Sequence, residues 1–239
     1  MIHIGPKLII QVIVAIIILL IVIEVIRLLI LKNTVSTYKN YWNAKAAEPV
    51  KPEDFIYVAM GDSVAQGIGA SDPRNSYVGL IIAHIEKTTG RHVHITNVSV
   101  TGAVASEVVR DQLPLIKGIK PDLVTLDIGA NDVNKKVPTE MFERDYNTIL
   151  DALPSGKTIV ADLPTFERGP KQSVLIARNI RIHEDISRHK FELAPIFDFT
   201  SRTTHDWTTY AADFFHPSDK GYRNWYNSFA TKIDGVTQQ

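Results

Sequence analysis

The sequence predicts an α/β fold, a parallel sheet covered by helices on both faces. Two observations carry that expectation. From Phe55 onwards, short apolar runs alternate with longer stretches of helical periodicity, the pattern of repeated strand–helix units. The runs are also nearly continuous in apolar residues, as strands buried on both faces must be. A third observation sets the N-terminus apart. Leu8–Ile23 reads LIIQVIVAIIILLIVI, with Gln11 its sole polar residue.

That run continues through Glu24 and Arg27 to Leu31, 24 residues in all. As a helix it is about 36 Å long, enough for a bilayer core of about 30 Å. Glu24 and Arg27 are three apart, so they can offset each other's desolvation. A buried core helix would need a polar face, and this segment has none. A cleaved signal peptide would carry an apolar region of about 7–15 residues with a small-x-small site close behind. The one candidate, Ala44-Lys45-Ala46, lies too far downstream. The expectation is an uncleaved single-span anchor over residues 1–32, then a stalk over 33–54 and one domain over 55–239. In the stalk, Tyr38, Tyr41 and Trp42 suit a membrane interface, and Pro49 and Pro52 stiffen the approach.

The domain's elements follow in order. FIYVAM (55–60) is the first strand, and Ser76–Thr89 a helix with Tyr77, Leu80, Ile81 and Ile85 as its apolar stripe. HVHITNV (92–98) is a second strand, and Ala105–Gln112 a short helix that Leu113–Ile119 extends. DLVTLDIG (122–129) is the third strand, introduced by Pro121. A helix over Thr139–Leu153, capped by Thr139, leads through a turn at Gly156 into TIVADL (158–163). Gln172–His189 is helical, APIFDF (194–199) is the fifth strand and Ser218–Thr231 the closing helix.

Composition narrows the function. The 239 residues are 45% hydrophobic, include no cysteine, and balance 26 basic against 26 acidic side chains. Disorder, a disulfide scaffold and a thiol nucleophile are thereby excluded. Residues 1–51 hold six basic and two acidic residues, which leaves 20 basic and 24 acidic beyond them. A mildly acidic domain offers no field for phosphate backbones, so no nucleic-acid partner is expected.

In parallel α/β sheets the working groups gather beyond the carboxyl ends of the strands. Ser63, in GDS directly after strand one, is placed to act as a nucleophile, given a base to take its proton. Of eight histidines, His216 stands between the last strand and the last helix with Asp213 three residues upstream. That spacing lets a carboxylate orient the imidazole. His205 and Asp206 form a second pair in a loop. His92 and His94 alternate on strand two without a carboxylate to complete a metal site. After strands two and three, Gly102 and Asn131 can present N–H donors, as can the backbone of Ser63. Position 65 is Ala, so there is no G-x-S-x-G elbow. No phosphate-binding glycine loop is present.

Four blocks in order, GDS (61–63), N-x-x-x-x-G (97–102), G-x-N-D (129–132) and D-x-x-H-P (213–217), resemble the SGNH (GDSL-type) hydrolase family over residues 55–233. The resemblance implies a three-layer α/β/α, flavodoxin-like fold with five parallel strands. It implies Ser63 as nucleophile, His216 as general base and Asp213 as its orienting partner. It places an oxyanion hole at Ser63, Gly102 and Asn131, and it implies no metal or organic cofactor. Two departures are Thr101, where many relatives have serine, and Val64-Ala65-Gln66, which is loosely typical. The expected activity is serine ester hydrolysis through an acyl-enzyme. The alternative is an inactive, membrane-tethered binding domain of the same fold. The expected substrate is a small-molecule, lipid or glycan acyl ester, with short or medium acyl chains favoured. A monomer is expected, with its catalytic domain on the outer face of the membrane.

Overall fold

The computed structural model describes residues 6–165 and 170–237. The first five residues of the expected anchor and the last two of the expected domain lie outside the described residues. In chain order the elements are α1 (Pro6–Ala46), β1 (Phe55–Gly61), α2 (Ser63–Gln66), α3 (Tyr77–Thr89), β2 (Val93–Asn97), α4 (Ala105–Glu107), α5 (Leu113–Ile116) and β3 (Leu123–Asp127). Then come α6 (Ala130–Asn134), α7 (Thr139–Asp151), β4 (Thr158–Ala161), α8 (Pro170–His189), β5 (Glu192–Ala194), α9 (Ile196–Thr203) and α10 (Asp219–Thr237).

All strand pairs are parallel, in the order β2-β1-β3-β4-β5. The period of two in a strand splits the core into two layers. Tyr57 and Ala59 of β1 join Ile81, Phe229 and Ile233 of α3 and α10, whereas Val58 and Met60 join Tyr146, Ile149 and Ile182 of α7 and α8. The chain leaves β1 towards β2 on one side and later returns to β3 on the other. That reversal opens a crevice beyond the carboxyl ends of β1 and β3.

Local signals set both ends of α3, which begins at Tyr77 with Ser76 as its cap. Ser76 Oγ accepts the Gly79 N–H at 3.2 Å, and Gly90 ends the helix at φ 68°. Thr139 is the first residue of α7 and Pro138 occupies its cap position.

The fifth strand differs from expectation. It is Glu192–Ala194, and Ile196–Phe199 opens a helix instead. Pro195 cannot continue a sheet ladder, and the buried Asp162 carboxylate accepts the Phe197 N–H at 2.7 Å. An unpaired helix-start donor is thereby satisfied.

The larger correction concerns the stalk. Residues 33–46 are not a linker: α1 runs unbroken from the apolar segment and docks on the domain. Tyr38 and Trp42, expected at a membrane interface, are 5% and 2% exposed. Tyr38 Oη donates to Ala70 O at 2.7 Å and Trp42 Nε1 to Gln66 O at 2.8 Å. Each ring is an apolar body with a polar handle, and the loop carbonyls satisfy both handles. Upstream, no part of the most apolar window of α1 is buried, and Arg27 donates to Glu24 at 3.0 Å on its surface. One described helix is therefore long and apolar enough to cross a membrane.

Candidate active site

The site begins where β1 ends. Gly61 adopts φ 145°, and a Cβ there would lie 2.1 Å from Asp127 O, so β1 and β3 approach this closely only with glycine present. Gln112 accepts the Gly61 N–H at 3.0 Å and donates to its carbonyl at 2.7 Å. This clasp ends the strand and turns Asp62 and Ser63 into the crevice.

Asp62 caps α2 through the Val64 N–H at 3.0 Å, and its second oxygen receives Asn131 Nδ2 at 2.9 Å. Asn131 also donates to Ala103 O at 3.1 Å. Its amide is therefore fixed beside Ser63, with both protons engaged. The Val64 N–H belongs to the cap, so Asp62 takes up this donor at the start of α2.

On the other wall, His216 Nε2 lies 2.9 Å from Ser63 Oγ. His216 Nδ1 lies 2.5 Å from Asp213 Oδ2. The other Asp213 oxygen accepts the Phe215 and His216 N–H groups, each at 3.0 Å. An N–H at Nδ1 facing the carboxylate leaves Nε2 as acceptor for the serine hydroxyl. Burial pushes Asp213 up, but the His216 ring and these N–H donors outweigh it and hold the carboxyl below its ordinary range.

Phe214, at the tip of this loop, has φ 52°, a left-handed conformation that a bulky side chain rarely adopts. Gly69, at φ 100°, holds the loop from behind. A Cβ on it would meet Pro217 O at 2.4 Å and His216 Cβ at 2.9 Å.

Ser63, Asn131 and Pro217 border one cavity of about 290 Å³, walled by Trp207, Phe214 and Trp225. Gly102 does not line it. It borders a neighbouring hollow with Thr101 and Lys135, and its carbonyl accepts Lys135 Nζ at 2.8 Å. Asn131 bridges the two through Ala103 O. The His205–Asp206 pair stands apart, with Asp206 bound to Lys220 at 2.7 Å. His92 sits before β2 against Glu86, whereas His94 is buried.

Two supporting residues, Asn97 and Gln66, stand in segments that the sequence marked but were given no role there. Asn97 donates to Ala65 O and accepts from Ser99, which ties α2 to the loop after β2. Gln66 accepts both the N–H and the hydroxyl of Thr101, at 3.0 and 2.8 Å, and donates to Val35 O at 2.6 Å. Each is a buried polar side chain at the end of an element, Asn97 of β2 and Gln66 of α2, and nothing in the sequence signals the partners it holds. Beneath the floor lies a set of buried acids. Burial, then the charge of Asp127, pushes Asp62 up; burial raises Asp127, against the Trp225 indole N–H at 2.9 Å. Burial takes Asp132 up to about 6, against the Ala105 N–H.

The GDSL-like Lipase/Acylhydrolase family matches residues 59–223. That is more than half of the chain, and it encloses every block described above. The protein belongs to this family and is a carboxylic ester hydrolase. Among solved structures it is similar to TesA, at 17% identity over 76% of this chain and 99% of that one (TM-score 0.64). It is also similar to the psychrotrophic esterase EstA from Pseudoalteromonas sp., at 16% identity over 78% and 100% of the two chains (TM-score 0.61). The acetylxylan esterase Axe2 from Geobacillus stearothermophilus aligns at 16% identity over 77% and 96% (TM-score 0.59). At these identities the likeness is one of fold. None of the curated proteins compared with the sequence matches it significantly.

Proposed function

We propose that the protein is a membrane-anchored serine esterase working through Ser63, His216 and Asp213. The observation that carries this reading is the unbroken contact from Asp213 to His216 to Ser63 Oγ at the edge of the cavity. His216 Nε2 takes the serine proton as Oγ attacks the acyl carbon, and Asp213 stabilises the imidazolium that results. The oxyanion is met by the Ser63 N–H and by Asn131, which shares the proton it gives to Ala103 O, whereas Gly102, the third donor expected from the sequence, borders the neighbouring hollow. His216 then protonates the leaving alcohol, and water releases the acyl group by the same path in reverse. The residues require no cofactor for these steps.

The anchor is retained in this reading. Cleavage after Ala46 would strip Tyr38 and Trp42 from the core, and with them two buried hydrogen bonds. The domain is assigned to the outer face, and protease shaving of intact cells tests that side. Fluorophosphonate labelling and p-nitrophenyl acetate hydrolysis test the chemistry. Both are expected in the wild type and absent in Ser63→Ala, and wild-type-like hydrolysis by that variant would refute the mechanism.

A further inference from the structure

We propose that the catalytic cavity opens onto the bilayer surface and takes esters resident in the membrane, with Trp207, Phe214 and Phe215 seated in the lipid interface. This rests on the esterase reading above and specifies where its substrate comes from.

The direction of α1 carries the argument. Its C-terminal end lies at the start of the strands, where Glu48 approaches His92, the residue before β2, at 4.0 Å. Moving back along the helix, Trp42 meets Gln66, Tyr38 meets Ala70, and Val35 O receives Gln66 Nε2. Gln66 and Ala70 follow β1, at the carboxyl ends of the strands. α1 therefore runs antiparallel to the sheet, and its apolar segment leaves the domain at the end that holds Ser63.

There is no slack in the connection. Leu31, the last residue of the apolar run, still packs on the core cluster that contains Tyr38. It lies four residues from Val35, about 6 Å along the helix. The membrane boundary and the level of Gln66, three residues past Ser63, are thus separated by about one helical turn.

The cavity rim is shaped for that surface. Trp207, Phe214 and Phe215 are 68%, 62% and 51% exposed. Trp207 and Phe214 meet edge to face with centroids 5.9 Å apart. Phe214 is held outward at φ 52°, a strained arrangement of the kind that gathers at functional sites. Clustered aromatics facing water are unusual on a soluble surface, whereas Trp and Phe belong in the headgroup region of a bilayer.

The test uses the full chain reconstituted in phosphatidylcholine vesicles. A seven-residue helical insert, Lys-Glu-Ala-Ala-Lys-Glu-Leu, placed after Leu31 lifts the domain by about 10 Å and keeps its facing within about 20°. Its final leucine takes the place of Leu31 against the domain. The insert is expected to leave p-nitrophenyl acetate hydrolysis within twofold of wild type. It is expected to reduce hydrolysis of 4-methylumbelliferyl oleate held in the vesicles at least tenfold. Equal rates on the oleate ester, with and without the insert, would overturn the proposal while leaving the esterase standing. Failure of the wild type on both esters would instead remove the esterase reading. Independently, brominated phosphatidylcholine is expected to quench wild-type tryptophan emission, and Trp207→Phe to abolish that quenching. Quenching unchanged in Trp207→Phe, or missing in the wild type, counts against the seated rim.

Discussion

Trp42→Ala tests whether the N-terminal helix is part of the domain. Trp42 is 2% exposed, packs among Tyr38, Phe55 and Val93, and donates to Gln66 O. Burying about 200 Å² of aromatic surface is worth about 5 kcal/mol at ~25 cal/mol per Å². Truncations of buried Trp to Ala cost about 3–5 kcal/mol. Losing the indole N–H also leaves the Gln66 carbonyl without this donor, at about 1 kcal/mol or more. A total of about 4–6 kcal/mol lowers Tm by roughly 8–24 °C for a domain of this size. Scanning calorimetry of the full chain in detergent micelles reads this directly. Trp42→Phe keeps most of the ring volume and is expected to lose only about 1–2 kcal/mol. A Tm change below about 2 °C in Trp42→Ala would refute the docking and return residues 33–46 to the role of a free stalk.

Asp213→Asn keeps the shape of the site but removes the charge that stabilises the imidazolium. Turnover of p-nitrophenyl acetate is expected to fall on the order of 10³–10⁴-fold, as in analogous triads. Gly69→Ala places a methyl group 2.4 Å from Pro217 O. It is expected to displace the His216 loop and lower kcat more than KM in steady-state kinetics. Asp132 is buried, and its pKa is raised to about 6. Its contribution to stability is therefore full below the unfolded value of about 4 and is lost as pH rises through 6. The loss is about 3 kcal/mol for a shift of about two units. Urea unfolding of Asp132→Asn is expected to lack that decline between pH 4 and 6.

The sheet was legible because its strands are buried on both faces, and apolar continuity over 55–60, 122–129 and 158–163 marks such strands directly. The residues of the expected triad were legible because each follows a strand or precedes the last helix, in blocks of fixed order. What escaped was set by distant partners. APIFDF reads as a strand until Asp162, more than thirty residues away, caps its backbone as a helix. Tyr38 and Trp42 read as interfacial aromatics because nothing local reveals that Gln66 and Ala70 present carbonyls to them. Gly102 carries a block of the expected pattern yet borders a separate hollow, a distinction made by loop geometry that no spacing encodes.

Gln66 has a consequence for how the molecule opens. One buried side chain holds both the Thr101 backbone N–H and the carbonyl of Val35. The amide of Thr101 can exchange with solvent only when Gln66 lets go, and Gln66 is itself clamped by the helix that carries the apolar segment. The loop after β2 and the last turns of that helix thus form a single unit of local unfolding. Fluctuations of the loop are damped by a segment more than sixty residues earlier in the chain, and they grow whenever that segment frays.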